Sequence, residues 1–358
     1  MAKTRLTLVG GGKIGEAIVT LLGETGDYDV SVIDHDLAQL APFAAAGLQT
    51  HHCALKSIDD LVPLLAGQHM VVSACPFHLT PLIAGAAKAA GVHYFDLTED
   101  VESTRVVKKL AEGANSAFVP QCGLAPGFIA IAAHAATRGF DTLRDVRMRV
   151  GALPMFPSNA LKYNLTWSTD GLINEYCNPC EAIVDGALRE VPALEESEEF
   201  SLDGVGYEAF NTSGGLGTLC ETLEGKVENL NYKTVRYPGH RDIVKMLIRD
   251  LRLGQRRGIL KDVLEESVPM THQDVVLVFV TVSGMRDGRL TQESFAKKIY
   301  SKTIGGKLYS AIQVTTAAGI CAMVDMTRDG TLPSEGFVRQ EEADLERFLS
   351  NRFGQHYA

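Results

Sequence analysis

The chain has 358 residues, room for two domains each with its own core. Apolar residues make up 46% and charged residues 22%, an ordinary balance for a soluble globular protein, and no apolar run is long enough to span a bilayer. The formal net charge of −10 argues against nucleic acid as a partner, because phosphate contacts need a basic face. No charged-then-apolar leader precedes the strand pattern at residues 4–8, so a cytoplasmic location is expected. From there strands and helices alternate: a helix over 14–22, a strand over 29–33, a helix over 37–47 and a strand over 49–52. A helix over 61–65, a strand over 69–75, a helix over 79–91 and a strand over 93–96 follow, then a helix over 104–113 and a strand over 117–120. Such alternation is the pattern of a parallel, doubly wound sheet.

The character changes after "CGLAPG" at 122–127. A helix is expected over 128–138, then strand-like segments at 145–150, 234–237, 275–284 and 295–301, with helices near 242–251 and 259–266. Asp287-Gly288 marks the turn of a long hairpin. The Ala-rich stretch 309–326 reads as a buried helix returning to the first domain, and 339–348 as an amphipathic helix with solvated charges. The expected fold class is therefore α/β: a Rossmann doubly wound parallel sheet plus an α+β substrate and dimerisation domain with a mixed sheet. The expected domains are 1–125, 126–308 and a C-terminal segment, 309–358.

Gly10-x-Gly12-x-x-Gly15 stands after a strand and at the mouth of a helix, where a dinucleotide fingerprint belongs. The first glycine permits the tight turn, the second lets a pyrophosphate approach the backbone, and the third packs the helix on the strand. Asp34 ends the second strand nineteen residues after Gly15, placed to accept from a ribose 2′-hydroxyl and to repel a 2′-phosphate. NAD is the expected cofactor, with NADP the alternative if His35 is protonated. The expected cofactor contacts are Gly10, Gly12, Lys13, Ile14, Gly15, Asp34, the strand end Ala74, Cys75 and Pro76, and Thr98 and Gly123. An unliganded glycine turn is the bland alternative.

The seven cysteines are odd in number and scattered, as reduced thiols are; the lone Cys177-Asn-Pro-Cys180 has no partner pair at zinc spacing, so no metal is expected. The basic run 251–258 reads as a solvated helix end.

The segments "GGGKIG", "VVSACP", "HYFDLTED", "CGLAPGFI", "LKYNLTWSTDGLINEY", "EAFNTSGGLGTL" and "YKTVRYPGH" resemble, in this order, the saccharopine dehydrogenase-like oxidoreductases, with the bacterial lysine 6-dehydrogenases the most similar branch. The resemblance runs from Leu6 to about Met326. It implies a Rossmann domain, a substrate domain whose mixed sheet supports a homodimer or higher oligomer, and oxidation of a C–N bond by NAD(P). Ala125 in "LAPG" stands where the saccharopine reductases carry an acidic residue, and Glu99 where they tend to carry tyrosine.

Hydride leaves a carbon only if the adjacent nitrogen has a free lone pair, and an amine of pKa about 10.4 is protonated at neutral pH. A site for such a reaction needs a base for that proton and a group to activate water against the imine. The candidates are Asp96, Glu99 and His240, the last expected to titrate near neutrality. His78 is a weaker candidate, and a loop tie is the alternative role for Asp96. A substrate α-carboxylate calls for a planar bidentate donor, for which Arg236 is the choice. Tyr163, Asn164, Thr212, Ser213 and Tyr237 are expected to supply neutral contacts, and Trp167 a pocket wall or a core side chain. Three functions remain open at this stage: an amino-acid dehydrogenase acting at a side-chain amine, a reductase that makes or breaks a secondary amine, and a catalytically idle NAD-binding protein.

Overall fold

A computed structural model describes residues 3–358. In chain order the first elements are β1 (Thr4–Val9), α1 (Lys13–Thr25), β2 (Tyr28–Asp34), α2 (Leu37–Ala45), β3 (Gln49–His52) and α3 (Ile58–Leu61). They are followed by β4 (Met70–Ser73), α4 (Thr80–Ala90), β5 (His93–Phe95), α5 (Val101–Ala111) and β6 (Ala117–Val119). All six strands are parallel, in the order β3-β2-β1-β4-β5-β6. Chain order reverses between β1 and β4, and the carboxyl ends of strands at such a switch point are where ligands bind. Leu6, Leu8, Val32, Ile33, Val71, Val72 and Phe118 are fully buried, as strands covered on both faces require.

Local chemistry sets the helix limits. On α1 the buried residues Gly15, Ala17, Ile18, Leu21 and Leu22 recur at helical spacing. Ser57 and Asp60 form a capping box that starts α3 at Ile58, earlier than expected; Pro63 then accompanies a tighter 3₁₀ turn over Val62–Leu65. Asp100 accepts from Ser103 N–H and so begins α5 at Val101.

The second half contains α6 (Phe128–Thr137), β7 (Thr142–Pro154), α7 (Thr169–Cys177), β8 (Cys180–Val184), β9 (Ala187–Val191), β10 (Glu198–Leu202) and β11 (Val205–Asn211). It continues with α8 (Leu219–Leu223), β12 (Val227–Arg236), α9 (His240–Lys245), α10 (Arg257–Ser267), β13 (Asp274–Arg286) and β14 (Arg289–Tyr300). These strands form a mixed sheet in the order β10-β11-β12-β7-β13-β14, with β8 and β9 attached beside β12. Only β12 and β7 pair in parallel. β13 and β14 form the expected hairpin, with Asp287 (φ 49°) and Gly288 (φ 72°) at its tip.

After a short pair, β15 (Lys302–Ile304) and β16 (Lys307–Tyr309), come α11 (Ala311–Arg328), β17 (Gly336–Phe337) and α12 (Leu345–Ser350). The chain divides into two units: residues up to Phe128 with Thr303–Lys307 and Gln313–Ala358, and Ile129–Lys302 with Leu308–Ile312. In the first unit β17 adds a parallel strand beside β6. The rings of Phe128 and Tyr357 stack there at 4.0 Å.

One expectation needs correction. Residues 339–348 are not one solvated helix: Gln340 and Glu341 are buried in a 3₁₀ turn, Gln340 donating to Pro120 O at 2.7 Å, and α12 starts only after Asp344 caps it. The run 251–258 follows a π-helical turn over Met246–Asp250 and is largely exposed, in keeping with a solvated helix end; it passes through Arg252 at φ 58° and enters α10, where Arg257 is tied to Asn174 and Asn178. Among the described residues no helix is long and apolar enough to cross a membrane.

Candidate active site

The glycine turn is dictated by contacts. Gly10 sits at φ +104° and its N–H donates to Ile33 O at 2.9 Å. A Cβ on Gly10 would lie 2.8 Å from Ala74 O, and one on Gly15 only 2.1 Å from Gly10 O, so neither position accepts a side chain. Gly12 caps α1 with no side-chain hydrogen bond, and the space its Cβ would take is open. Uncapped N–H groups at a helix start, with no side chain in front of them, are an anion-binding arrangement.

Asp34 is held beside this turn. Its Oδ2 accepts from Gly11 N–H at 2.7 Å and its Oδ1 from Asp36 N–H at 2.8 Å, with His35 Nδ1 3.1 Å from Oδ1. Each carboxylate oxygen retains a lone pair for a hydroxyl donor. Ala74 N–H donates to Val9 O; Ala74 and Cys75 are half-buried and Pro76 is exposed. Burial pushes the Cys75 thiol up to about 12, with a smaller contribution from Asp34. Lys13 is exposed and Ile14 half-buried at the helix start. This cradle, whose turn Gly10 and Gly15 make possible and into whose open space a Cβ on Gly12 would project, fits a dinucleotide.

Asp96, just beyond β5, is fully engaged. Its Oδ1 accepts from Thr98 N–H at 3.0 Å and Gln121 N–H at 2.8 Å, and its Oδ2 from the Tyr94 hydroxyl at 2.7 Å. Burial raises its pKa to about 6 against those hydrogen bonds. The geometry favours the loop tie over an acid–base role. Thr98 is buried and accepts from Asp100 N–H; Gly123 is buried and its carbonyl accepts from Phe128 N–H; Glu99 is half-buried and His78 exposed.

In the second unit Arg236 ends β12, 2% exposed. Its Nε donates to Tyr176 Oη at 2.9 Å, and its Nη1 to Thr234 Oγ1 at 2.8 Å and Val235 O at 2.9 Å. The Tyr163 ring lies 4.9 Å from the guanidinium carbon. Nη2 has no protein partner. His240 is 1% exposed, with Nε2 3.0 Å from Tyr176 Oη and Nδ1 2.8 Å from Leu161 O. Burial, reinforced by the Arg236 charge, pushes its pKa down to about 3. The expectation that His240 titrates near neutrality is therefore corrected.

Four buried oxygens of this unit lack hydrogen-bond partners: Tyr163 Oη, Asn164 Oδ1, Thr166 Oγ1 and Thr212 Oγ1. Thr166 and Trp167 lie close to the Tyr163 hydroxyl but outside hydrogen-bonding geometry. Ser213, also buried, donates its N–H to Glu175 O at 3.0 Å. Gly215 is obligatory, because a Cβ there would sit 2.3 Å from the Tyr232 ring. Trp167 is half-buried and packs against the cluster of Tyr163, Leu172, Tyr176 and Phe210. Tyr237 is half-buried and spends its hydroxyl proton on Pro154 O. Among the described residues no group of His, Cys, Asp or Glu is placed to hold a metal ion, and all seven cysteines are free.

Residues 6–118 match the saccharopine dehydrogenase NADP binding domain and residues 123–354 the saccharopine dehydrogenase C-terminal domain. The chain belongs to the saccharopine dehydrogenase family. It is 22% identical over 321 residues to the mitochondrial alpha-aminoadipic semialdehyde synthase of Bos taurus, a match covering 84% of this chain and 34% of that protein. The chain thus spans about a third of that relative's length. The apo histidine-tagged saccharopine dehydrogenase (L-Glu forming) from Saccharomyces cerevisiae shares the fold, with a TM-score of 0.79 at 17% identity over 98% of each chain. The first domain is an NAD(P)-binding domain of the saccharopine dehydrogenase type.

Within this saccharopine dehydrogenase fold, sequence reasoning missed Tyr176 and Glu208. Tyr176 lies on α7, whose start is signalled by Ser168, the N-cap that accepts from Gly171 N–H. Glu208 accepts from Gly239 N–H at 3.0 Å and Arg241 N–H at 2.7 Å, fixing the turn that carries His240. Its partner relation to Arg236 across β11 and β12 is invisible without the sheet register.

Proposed function

We propose that this family member oxidises the C–N bond of a basic amino acid, with the ε-amine of L-lysine as the reacting group and NAD as the preferred cofactor. The observation that carries the reading is Arg236: a buried guanidinium whose Nη2 lacks a protein partner, in the unit that also holds four unpartnered buried oxygens. Each buried oxygen left unpaired costs roughly 1–3 kcal/mol, a cost that the polar groups of a ligand would relieve. A guanidinium edge in such a place matches an α-carboxylate.

The bound nicotinamide would accept the hydride. The chain's own residues have to supply the rest. Asp34 places a negative charge beside the glycine turn, which favours a free 2′-hydroxyl over a 2′-phosphate. Glu99 is the proposed acceptor of the amine proton, since Asp96 already receives three hydrogen bonds and the His240 lone pair faces Tyr176. The overall change is lysine plus NAD⁺ plus water giving allysine, ammonia, NADH and a proton: the C–H and N–H bonds break, an imine forms, and water hydrolyses it.

The second reading, a reductase joining or splitting two amino acids through a secondary amine, is favoured by the name of the yeast protein that shares the fold, a saccharopine dehydrogenase (L-Glu forming). A single panel separates the two. NAD or NADP is mixed with L-lysine, other basic amino acids, diamines or saccharopine, and absorbance of the reduced nicotinamide is followed. We expect the signal with L-lysine and NAD. A signal with saccharopine alone would transfer the assignment to the second reading. No signal anywhere would favour a catalytically idle NAD-binding protein.

A further inference from the structure

Arg236, Tyr176, His240 and Leu161 form a chain of hydrogen bonds in which only one arrangement of protons is allowed. Arginine Nε can only donate, so Tyr176 Oη accepts at 2.9 Å. At the other end the Leu161 carbonyl can only accept, so His240 Nδ1, 2.8 Å away, carries a proton. Between them the Tyr176 proton and the His240 Nε2 lone pair meet at 3.0 Å. A proton on Nε2 would leave Tyr176 Oη facing two donors while its own proton lost its partner. Neutral His240, protonated on Nδ1, is the one state that satisfies all three contacts.

We infer that His240 and Tyr176 are positioning residues that hold the Arg236 guanidinium by its Nε edge and leave Nη2 as the nitrogen offered to the substrate carboxylate. The inference rests on Arg236 as the carboxylate anchor. The surroundings lock the relay in place. Phe210 stacks parallel to the imidazole at 6.4 Å between centroids, and Tyr163 meets it edge-on at 5.3 Å. Glu208 fixes the backbone on either side of His240 through Gly239 and Arg241. On the far side of the guanidinium, Thr234 and Val235 take both bonds from Nη1. With two of its three nitrogens tied, Arg236 cannot swing, and specificity for a carboxylate at that end of the substrate becomes a property of the relay and of the arginine together.

The test has two readouts on the full chain. In ¹⁵N NMR of histidine-labelled protein, one of the ten histidines is expected as the Nδ1–H neutral tautomer, a signal that vanishes in His240→Gln. In steady-state kinetics, His240→Leu and Tyr176→Phe are expected to raise KM for L-lysine about tenfold, the equivalent of losing one charge-assisted hydrogen bond. They should leave kcat within about twofold and spare cadaverine, the diamine without the carboxylate. His240→Gln, whose amide oxygen can take the Tyr176 proton, is expected to recover most of the loss, which a folding defect would not allow. Arg236→Gln tests the anchor itself. If it raises KM for L-lysine while His240→Leu does not, the relay is refuted and the anchor stands. If Arg236→Gln leaves KM unchanged, the anchor falls and the relay's purpose with it. An Nε2–H tautomer at His240 overturns the inference whatever the substrate.

Discussion

At Asp34 one carboxylate does two jobs, and they predict different consequences of its loss. It accepts from Gly11 N–H and Asp36 N–H, holding the glycine turn, and in the proposed cofactor assignment its charge opposes a 2′-phosphate. Asp34→Ser is expected to weaken NADH binding about tenfold, the loss of one charge-assisted hydrogen bond, and to narrow the preference over NADPH. Fluorescence titration with both nucleotides checks this; unchanged affinity for both would remove Asp34 from the cofactor assignment. The type of residue was legible here because a terminal acid after the second strand has a chemical reason. His240 was different. Its residue type suggested a base, but burial and the hydrogen bond to Tyr176 make it a neutral acceptor, and nothing in "RYPGH" announces that partner.

At the scale of elements, legibility followed periodicity and turn chemistry. The helix at 14–22 and the hairpin at Asp287-Gly288 are carried by local signals, and both are present. α7 and the strands β8 to β11 were missed. β9 is exposed at four of its five residues, so its two faces do not differ, and α7 is buried at seven of nine positions with Thr169, Asn174 and Glu175 among them, so polar and apolar residues do not sort to opposite faces. The start of α11 shows a long-range cap of the same kind: Asp274, on β13, accepts from Ala311 N–H at 2.6 Å and Ile312 N–H at 3.0 Å. Asp274→Ala removes this carboxylate acceptor from both N–H groups, which should cost about 2 kcal/mol. A shift in the urea midpoint measures it, and a shift equivalent to under about 0.5 kcal/mol would show that water replaces the carboxylate.

On the scale of the whole molecule, the NAD(P)-binding unit is not a continuous stretch of chain. Gln313–Ala358 belongs to it, β17 extends its sheet, and the Tyr28 hydroxyl donates to Asp325 at 2.7 Å. Met323, Val324 and Tyr357 are buried within it. A chain ending at Ile312 retains every residue of the glycine turn yet uncovers this core. It is expected to lose NADH binding, measured by fluorescence; a truncated chain that still binds would show that the last segment is dispensable to the cradle.

Sequence by itself determined the parallel first sheet, the glycine turn with its acid, and the presence of a second, mixed-sheet region. Each rests on local rules of period, turn conformation or backbone clearance, which act over a few residues. Tertiary structure decided what surrounds Asp96 and His240, which oxygens are left unpaired, and which Arg236 nitrogen has no protein partner. Those properties depend on burial and on partners at separations such as the 64 residues between Tyr176 and His240, so no short window of sequence contains them.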